Sequence, residues 1–343
     1  MIVVGEPQNK RTIYMKLAAE KLGMQVSCIS YRDGYAAVLQ KLTEVSNQAE
    51  VVKLDPPQFM ETEFEGMKQR LSEYMEFLKQ AGKLPLNYLN APKVICEVMD
   101  KRLCKQRLMD AGIDSTELVF GKLSTAEELI WHMEEENVRE VFIKPSIFSG
   151  AAGVSALRRN PKTGQLVLRT TCFLQKDQIV NTKKLFLLEE PGKVLALLDA
   201  LFLFEPVIER WIPKEKHNGY EYDLRVVWQF GQIAHIVVRQ SKGPVTNLHL
   251  NNQPEEFCVL GLSDEICEKI RKLCQDAAGL FPGLRVAGMD VLLERKTKKP
   301  RMIEINGQGD LIYQDIYGNN RIYGQQLFYS NCSGPAFAKY QNM

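Results

Sequence analysis

The sequence predicts an α/β (α+β) protein that begins with a small parallel α/β domain and ends in a mixed, largely antiparallel sheet. In the first ninety residues, short apolar runs alternate with amphipathic helical patterns, which is typical of parallel βαβ units. Beyond residue 220, apolar runs follow one another through short polar connections, as in antiparallel sheets. Of the 343 residues, 45% are hydrophobic and 25% are charged, which excludes a wholly disordered chain.

The charge balance and the cysteines limit the class of protein. The chain carries 44 basic and 42 acidic side chains, so its net charge of +2 favours neither nucleic acid nor a membrane surface as a partner. The sequence contains no apolar run of about 18 residues and no signal-peptide pattern at its start. The eight cysteines form no CxxC pair, which favours free thiols. We therefore expect a cytosolic protein.

The first part of the chain is predicted to follow a strand–helix–strand order. Residues 2–4 form a short apolar strand, and residues 11–22 have apolar side chains at helical spacing before Gly23. Residues 26–30 form a second strand, followed by a turn at 32–34. Apolar residues on one face of 61–80 predict a long amphipathic helix. These elements predict a parallel βαβ beginning.

The middle and the end of the chain are predicted to change from helices to strands. A single charged helix is expected over 93–111, a capped helix over 125–136, and strands at 119–120, 141–144 and 167–171. After a helix near 194–201, an antiparallel sheet is expected from strands at 224–230, 233–239, 286–294 and 302–305, with a hairpin turn at 229–232. A helix is expected over 265–278, and a frayed tail after Ser330.

A loop of small residues follows the predicted strand at 141–144. Lys144 ends the strand, and Gly150 and Gly153 allow the backbone to approach a ligand closely. One fixed cation and several backbone N–H groups can hold a phosphate. The loop lacks the GxxxxGK[ST] pattern of a Walker loop, so a plain surface turn between strands is the alternative.

Three oxygen-bearing side chains lie in the last two predicted strands. Asp290 belongs to one strand, and Glu304 and Asn306 share a face of the next, because side chains alternate along a strand. Mg²⁺ takes oxygen ligands, usually one or two carboxylates together with phosphate oxygens. Acids in an apolar strand are costly to bury without a partner. The pattern predicts a metal site, and a solvated hairpin end is the alternative.

Two other segments place charge in apolar runs. Asp223 and Arg225 share a strand face, and Arg239 ends the following strand, so the arginines can clamp phosphate oxygens. A surface ion pair is the alternative. Glu209 lies in a short apolar run that ends at Pro213 and can border an adenine ring, although an ordinary edge strand is the better explanation of this segment taken alone.

Together, and in this order, these segments resemble the ATP-grasp ligase superfamily, with the ribosomal-protein glutamate ligases and similar carboxylate–amine ligases nearest in pattern. The resemblance runs from residue 98 to Asn306 and includes the helix end at 110–113. It implies an ATP-grasp fold with ATP between a small lid and a mixed sheet. We expect an N-terminal α/β domain at 1–92, a linker helix and lid subdomain at 93–212, a C-terminal catalytic domain at 213–330 and a tail at 331–343.

The resemblance also implies roles for individual residues. It assigns the phosphates to Lys101, Lys144 and the loop glycines Gly150 and Gly153, the adenine hinge to Glu209, Trp211 and Ile212, and the ribose or phosphates to Asp223. It assigns the transferred phosphoryl group to Arg225 and Arg239, the acceptor side of the nucleotide site to Asn247, and Mg²⁺ to Asp290, Glu304 and Asn306. Two ions are expected, with Mn²⁺ as an alternative metal.

The activity implied is that of an ATP-dependent carboxylate–amine ligase. Phosphoryl transfer from ATP turns a carboxylate into an acyl phosphate, which an amine attacks to form an amide or peptide bond. The expected partners are ATP, a carboxylate substrate and an amine or peptide acceptor, without nucleic acid or membrane, and the resemblance allows for a homodimer. A small-molecule kinase and a catalytically silent nucleotide-binding protein are the alternatives.

Two segments depart from the pattern of these ligases. Gly307-Gln308-Gly309-Asp310 follows Asn306 where a proline–glycine pair is common, and Leu250-Asn251-Asn252 replaces an arginine and glycines after His249. Both segments are expected near the acceptor pocket. They leave the identity of the carboxylate and of the amine open.

Overall fold

The computed structural model describes residues 1–46, 50–58, 60–250 and 252–331. Within these ranges the strands are β1 (Ile2–Val4), β2 (Ser27–Ile29), β3 (Val51–Leu54), β4 (Asn87–Tyr88), β5 (Glu140–Lys144), β6 (Ser155–Arg159), β7 (Leu166–Gln175), β8 (Gln178–Leu188), β9 (Val207–Arg210), β10 (Lys216–His217), β11 (Tyr220–Gln229), β12 (Gln232–Ser241), β13 (Gln253–Glu256), β14 (Val286–Leu293) and β15 (Pro300–Asn306). The helices are α1 (Lys10–Lys21), α2 (Tyr35–Glu44), α3 (Phe64–Ala81), α4 (Pro92–Met99), α5 (Lys101–Asp110), α6 (Ala126–Glu135), α7 (Pro191–Phe202), α8 (Asp264–Gly279), α9 (Tyr313–Ile316) and α10 (Arg321–Asn331).

The first sheet is parallel and has the strand order β2-β1-β3-β4. Asn9 caps α1 by accepting a hydrogen bond from the Arg11 N–H at 2.9 Å, which fixes where the helix begins after β1. The predicted βαβ beginning is confirmed. Helix α2, whose buried Val38 and Leu42 are four residues apart, and the four-residue strand β3 were not predicted.

The charged helix predicted over 93–111 is two helices, so this prediction is wrong in detail. Asp100 leaves the helical backbone region (φ −79°, ψ 100°), and its carboxylate accepts a hydrogen bond from the Leu103 N–H at 3.1 Å. A capping side chain therefore ends α4 and starts α5 at this point. The break places Lys101 at the first position of α5.

The second sheet is antiparallel, with the order β8-β7-β6-β5-β9. Helices α6 and α7 cover it, and the loop of small residues connects β5 to β6. The predicted strand at 119–120 is not formed, since Leu118 makes only an isolated bridge to Glu209 and Phe120 has a left-handed φ of 63°. We call this part of the molecule the lid sheet.

The third sheet is antiparallel, with the order β13-β12-β11-β14-β15 and β10 beside β11. The predicted hairpin joins β11 to β12, with Phe230 and Gly231 at positive φ, as a tight turn between twisted strands requires. Its apolar face packs on α4, α5 and α8 through a buried cluster that includes Val98, Leu108 and Cys274. The other face carries the polar residues of the candidate site. We call this the catalytic sheet.

The predicted α/β class is confirmed, while the domain boundaries stay a prediction. The cysteines in the described ranges carry free thiols. None of the helices in the described part of the chain combines the length and apolar character that crossing a bilayer requires. The tail expected at 331–343 lies, from residue 332 onward, outside the described residues.

Candidate active site

A cavity of about 300 Å³ lies where the three sheets meet. Catalytic-sheet strands β11, β14 and β15 line one wall, and the loop between β5 and β6 lines the opposite one. Among the described residues that line it, seven are basic and four are acidic. The basic ones are Arg11, Lys101, Lys144, Arg210, Lys214, Arg225 and Arg239, and the acidic ones are Glu209, Asp223, Asp290 and Glu304. This excess of positive charge favours an anionic ligand.

Register brings the three predicted metal ligands to one face of the catalytic sheet. Asp290 lies directly opposite Glu304 on the neighbouring strand, and Asn306 lies opposite Gly288, two residues before Asp290. Opposed residues on antiparallel strands point to the same face, so the three side chains border one space. All three line the cavity.

The oxygen atoms of this group fit a hard divalent cation. Asp290 Oδ1 is buried and accepts no hydrogen bond within the described residues, although Arg225 Nε lies 3.1 Å away. Burial acts to raise the pKa of the Glu304 carboxyl, but Lys101, with its Nζ 3.5 Å away, and Lys144 outweigh burial and lower it. In the described part of the chain no three Asp, Glu, His or Cys side chains form a metal site by themselves. A cation here would therefore depend on Asn306 and on oxygens of the ligand.

Asp223 is the centre of a buried ion cluster beside the metal ligands. Arg239 Nε donates to Asp223 Oδ1 at 2.6 Å, and Lys214 Nζ donates to Asp223 Oδ2 at 3.2 Å. Thr246 also donates to this carboxylate, and Arg239 Nη2 lies 3.0 Å from Asp290 Oδ2. Burial acts to raise the pKa of Asp223, but Arg239 and Lys214 outweigh it and hold the pKa well below its ordinary value. Asp223 thus fixes the direction of Arg239.

Glu209 forms a second buried ion cluster at the base of the lid sheet. Lys144 Nζ donates to Glu209 Oε2 at 2.9 Å, and the Thr116 hydroxyl donates to the same oxygen at 2.5 Å. Lys105 lies 3.6 Å from this oxygen, and burial lowers the pKa of its ammonium to about 8. The Glu209 carboxylate therefore holds Lys144 in position and is already engaged by protein donors.

Lys101 connects α5 to the loop of small residues. Its backbone N–H donates to Ser146 O at 2.9 Å, and its ammonium donates to Phe148 O. Lys144 precedes the same loop, so both predicted phosphate-binding lysines lie beside it and line the cavity. The loop glycines differ in role. Gly150 lines the cavity, whereas Gly153 packs on α3, where a Cβ would lie 2.6 Å from the Phe64 ring.

The structure does not bring Trp211 to the cavity. Its backbone N–H donates to Glu140 O at 3.3 Å, and its ring contacts the Phe142 ring with a centroid separation of 5.1 Å. Phe142 itself lines the cavity, as do Ile212 and Asn247. Trp211 therefore packs against Phe142, which lines the cavity, and does not itself line the cavity.

The atypical segment after Asn306 joins the catalytic sheet to the first sheet. Gln308 Nε2 donates to Leu54 O and to the Tyr74 hydroxyl, both at 2.7 Å, and the Gln308 N–H donates to Asn306 Oδ1 at 2.9 Å. Asp310 accepts from Arg11. The segment thus fixes the Asn306 carboxamide. In the other departure, Asn252 Nδ2 donates to Asn247 O at 2.9 Å, while Asn251 lies outside the described residues.

Sequence reasoning did not identify several residues of the site. They are Arg11, Lys105, Thr116, Lys214 and Thr246. Lys214 directly follows the apolar run that ends in Pro213, and this position is the local signal that could have indicated it. The others come from segments that only tertiary packing brings together.

Comparisons with known proteins agree with this architecture. No protein-family model matches the sequence, and no curated protein sequence matches it significantly. Among solved structures, the D-cycloserine synthetase DcsG is similar at 12% identity with a TM-score of 0.60, over 96% of this chain and 99% of that one. The macrocyclase MdnC from Microcystis aeruginosa MRC, bound to precursor peptide MdnA, is similar at 12% identity and a TM-score of 0.59, over 96% and 99%.

A third similar structure is the D-alanine–D-alanine ligase from Bacillus anthracis complexed with ATP. It is similar at 13% identity and a TM-score of 0.58, over 96% of this chain and 94% of that one. Similarity at such low identity concerns the fold. At the level of the fold, this similarity confirms the resemblance that the sequence motifs indicate.

Proposed function

We propose that this chain, which has the ATP-grasp fold of those structures, is an ATP-dependent ligase that joins a carboxylate to an amine. The observation that carries the proposal is that one cavity brings together two lysines and three oxygen-bearing side chains. The lysines are Lys101 and Lys144, and the oxygen-bearing side chains are Asp290, Glu304 and Asn306, with Lys101 Nζ 3.5 Å from Glu304 Oε1. A nucleoside triphosphate needs both, because its phosphates take lysines and a divalent cation at once.

The proposed reaction has two balanced steps. An oxygen of the substrate carboxylate attacks the γ-phosphorus of ATP, the bond to the β-phosphate oxygen breaks, and ADP leaves. The amine nitrogen then attacks the carbonyl carbon of the acyl phosphate, phosphate leaves, and the amine loses a proton. Neither step requires a nucleophile from the protein.

The residues of this chain would act by binding and orientation. Lys101 and Lys144 hold phosphate oxygens, and Glu209 keeps Lys144 aimed at the cavity. Arg225 and Arg239 neutralise charge on the transferred phosphoryl group, with Asp223 fixing Arg239. Asp290, Glu304 and Asn306 would hold Mg²⁺, which neutralises phosphate charge and polarises the phosphoryl group when bound. The loop at 145–154 keeps water from the acyl phosphate.

The proposal is tested by removing the metal ligands. We expect Glu304→Gln combined with Asn306→Ala to lower ADP release by about 100-fold or more, because metal stabilisation is worth several kcal/mol. Glu294→Gln is the matched control, since Glu294 lies beyond the end of β14, pairs with Arg301 and does not line the cavity. ADP release is measured with pooled carboxylates and amines, and mass spectrometry identifies the new amide.

The outcomes separate the proposal from the alternatives. Unchanged ADP release in the double variant would contradict the metal assignment. ADP release without any amine, together with a stable phosphorylated product, would identify a kinase. Nucleotide binding without turnover across all pools would indicate a silent nucleotide-binding protein.

A further inference from the structure

The cavity extends to the first sheet at a place where parallel sheets bind ligands. In the order β2-β1-β3-β4 the chain passes from one side of β1 to the other, so the gap between the ends of β1 and β3 is a topological switch point. Ligands of open parallel sheets bind outside the carboxyl ends of the strands at this point. Pro56 and Pro57, just after β3, and Arg11, in the first turn of α1, line the cavity here.

Arg11 is held at one end and open at the other. Its Nη1 donates to Asp310, which is 1% exposed and also lies 3.1 Å from Lys53 Nζ. In the ranges that the structure describes, the Nε and Nη2 groups of Arg11 donate to no protein atom. The Arg11 side chain is 13% exposed and borders the cavity. A guanidinium that is fixed by one nitrogen presents the remaining N–H groups in a set direction.

Buried polar atoms without a hydrogen-bond partner lie close to Arg11 and Asp310. Thr12 Oγ1, Tyr323 Oη and Gln326 Oε1 are buried and make no hydrogen bond within the described residues. Gln326 donates through Nε2 to Asp310 at 3.1 Å, and the Tyr323 ring centroid lies 5.5 Å from Lys53 Nζ. Unpaired buried polar atoms are costly, so this region is suited to polar contents rather than to an apolar group.

The position of Arg11 separates it from the cations assigned to the nucleotide. Lys101 and Lys144 lie beside the loop of small residues between β5 and β6, whereas Arg11 lies in α1, which follows β1 of the first sheet. Gln308, which also lines the cavity, bonds to Leu54 at the end of β3 and to Asn306 of the metal set. Through Asp310, Arg11 thus contacts the segment that follows the predicted metal ligand Asn306. A second anion that must meet the triphosphate needs a counter-charge of its own.

We propose that Arg11 binds the carboxylate group of the substrate at the switch point of the first sheet, a role that rests on the proposed ligase function. The planar fork of a guanidinium matches the two oxygens of a carboxylate, and the N-terminus of α1 adds partial positive charge. Asp310 is the positioning residue that orients the fork.

The first experiment measures Arg11 directly in the unmodified enzyme. Phenylglyoxal labels arginine side chains, and peptide mass mapping reports the labelling rate of Arg11. The probes are the free amino acids and short peptides that contain aspartate or glutamate, and separately AMPPNP with Mg²⁺. Carboxylates are expected to slow the labelling of Arg11 several-fold, and the nucleotide alone is expected to leave it unchanged. Unaltered labelling with every carboxylate, or protection by the nucleotide alone, would overturn the assignment.

The second experiment uses variants and a matched control. Arg11→Ala is expected to raise the KM for the stimulating carboxylate about 10- to 100-fold, because a charged hydrogen bond contributes about 1.5–3 kcal/mol. AMPPNP affinity is expected to stay the same. The KM of Arg11→Lys, which keeps the charge opposite Asp310, is expected to lie between that of the unmodified enzyme and that of Arg11→Ala. Lys10→Ala is the control, since Lys10 is exposed, donates to the Tyr317 hydroxyl and does not line the cavity.

The two proposals fail in different ways. If the unmodified enzyme releases no ADP with any pool while carboxylates still protect Arg11, the ligase proposal fails and the carboxylate site stands. If ADP release occurs and Arg11→Ala keeps the KM of the unmodified enzyme, the ligase proposal stands and the site at Arg11 is rejected.

Discussion

Gly288 allows the catalytic sheet to lie against the segment that follows Asn306. A Cβ at this position would lie 2.4 Å from Gly309 O and 2.5 Å from Arg225 Nη1. Gly288 is also the residue opposite Asn306 in the ladder between β14 and β15. Because Gly288 has no side chain, there is room for Arg225, a predicted phosphoryl-binding residue, and for the segment that follows Asn306, a predicted metal ligand.

We expect Gly288→Ala to disturb both. Backbone atoms of Gly309 cannot move aside cheaply, so the free energy of unfolding should fall by about 1–3 kcal/mol, as in other overpacked cores. AMPPNP–Mg²⁺ affinity should fall with it, as measured by isothermal titration calorimetry beside urea unfolding. Gly192→Ala in α7 is the control, because its Cβ would meet no atom within 4 Å. Equal stability and affinity for the two variants would contradict this role of Gly288.

At the residue scale, the local pattern predicted strand residues of the site, and the resemblance added Lys101, Gly150, Ile212 and Asn247, which also line the cavity. Asp290, Glu304 and Asn306 could be placed on one face because alternation along a strand is local. Arg11 and Gln308 could not, since Arg11 reaches Asp310 across 299 residues and Gln308 reaches Leu54 across 254. The resemblance placed Trp211 beside the ligand, but its backbone N–H donates to Glu140 O.

Helix α3 connects the first sheet to the lid sheet. Its N-terminal residues Phe64 and Leu71 belong to the buried cluster of the lid, whereas Phe77 and Leu78 belong to the cluster beneath the first sheet. The Phe64 ring lies edge-on to Phe148 of the lid loop, with a centroid separation of 4.9 Å. One amphipathic helix therefore serves two cores.

We expect Phe64→Ala to loosen the lid loop selectively. Removal of a buried phenyl ring costs about 3–5 kcal/mol locally, and here the lost contacts are with Phe148, Phe204 and Gly153. Hydrogen exchange should speed up at 145–154 and in β8, while β14 keeps its protection. Phe77→Ala, more than three turns further along the same helix, should instead affect β1 and β3. Identical exchange patterns in the two variants would contradict the division of α3.

At the element scale, several helices and the main hairpin were predicted, whereas α2, α10 and several short strands were not. Helices α1, α3 and α8 and the β11–β12 hairpin follow from apolar spacing and turn residues. Residues 93–111 were predicted as one charged helix, whereas the break at Asp100 depends on a side-chain cap. Strand β8 was missed because its lysines and leucines do not alternate regularly.

At the scale of the whole molecule, a buried ion cluster joins the first sheet to the C-terminal segment. Asp310 accepts from Arg11 and from Gln326 and lies 3.1 Å from Lys53 of β3. Burial acts to raise the pKa of Asp310, but Lys53 and Arg11 outweigh it and lower the pKa from 3.8 to about 2. Because the folded-state pKa is depressed, the cluster stabilises the fold above about pH 4.

This stabilisation should disappear as the pH falls from about 4 to about 2. The free energy of unfolding of the unmodified chain should exceed that of Asp310→Asn by about 2 kcal/mol at pH 5, and the gap should narrow below pH 4. Urea unfolding across this range measures it. Asp33→Asn is the control, since Asp33 pairs with Lys41 at the surface. A gap that stays constant with pH would contradict a charged Asp310.

Because α3 packs in two cores, it also limits how segments of this protein can be exchanged with those of proteins of similar structure. A chimaera cut at residue 92 would import a foreign helix whose N-terminal end must fit the Phe148–Phe204 pocket of the resident lid. A chimaera should therefore keep the native Phe64 and Leu71 side chains, which pack in the lid, and replace only the residues around β1 and β3.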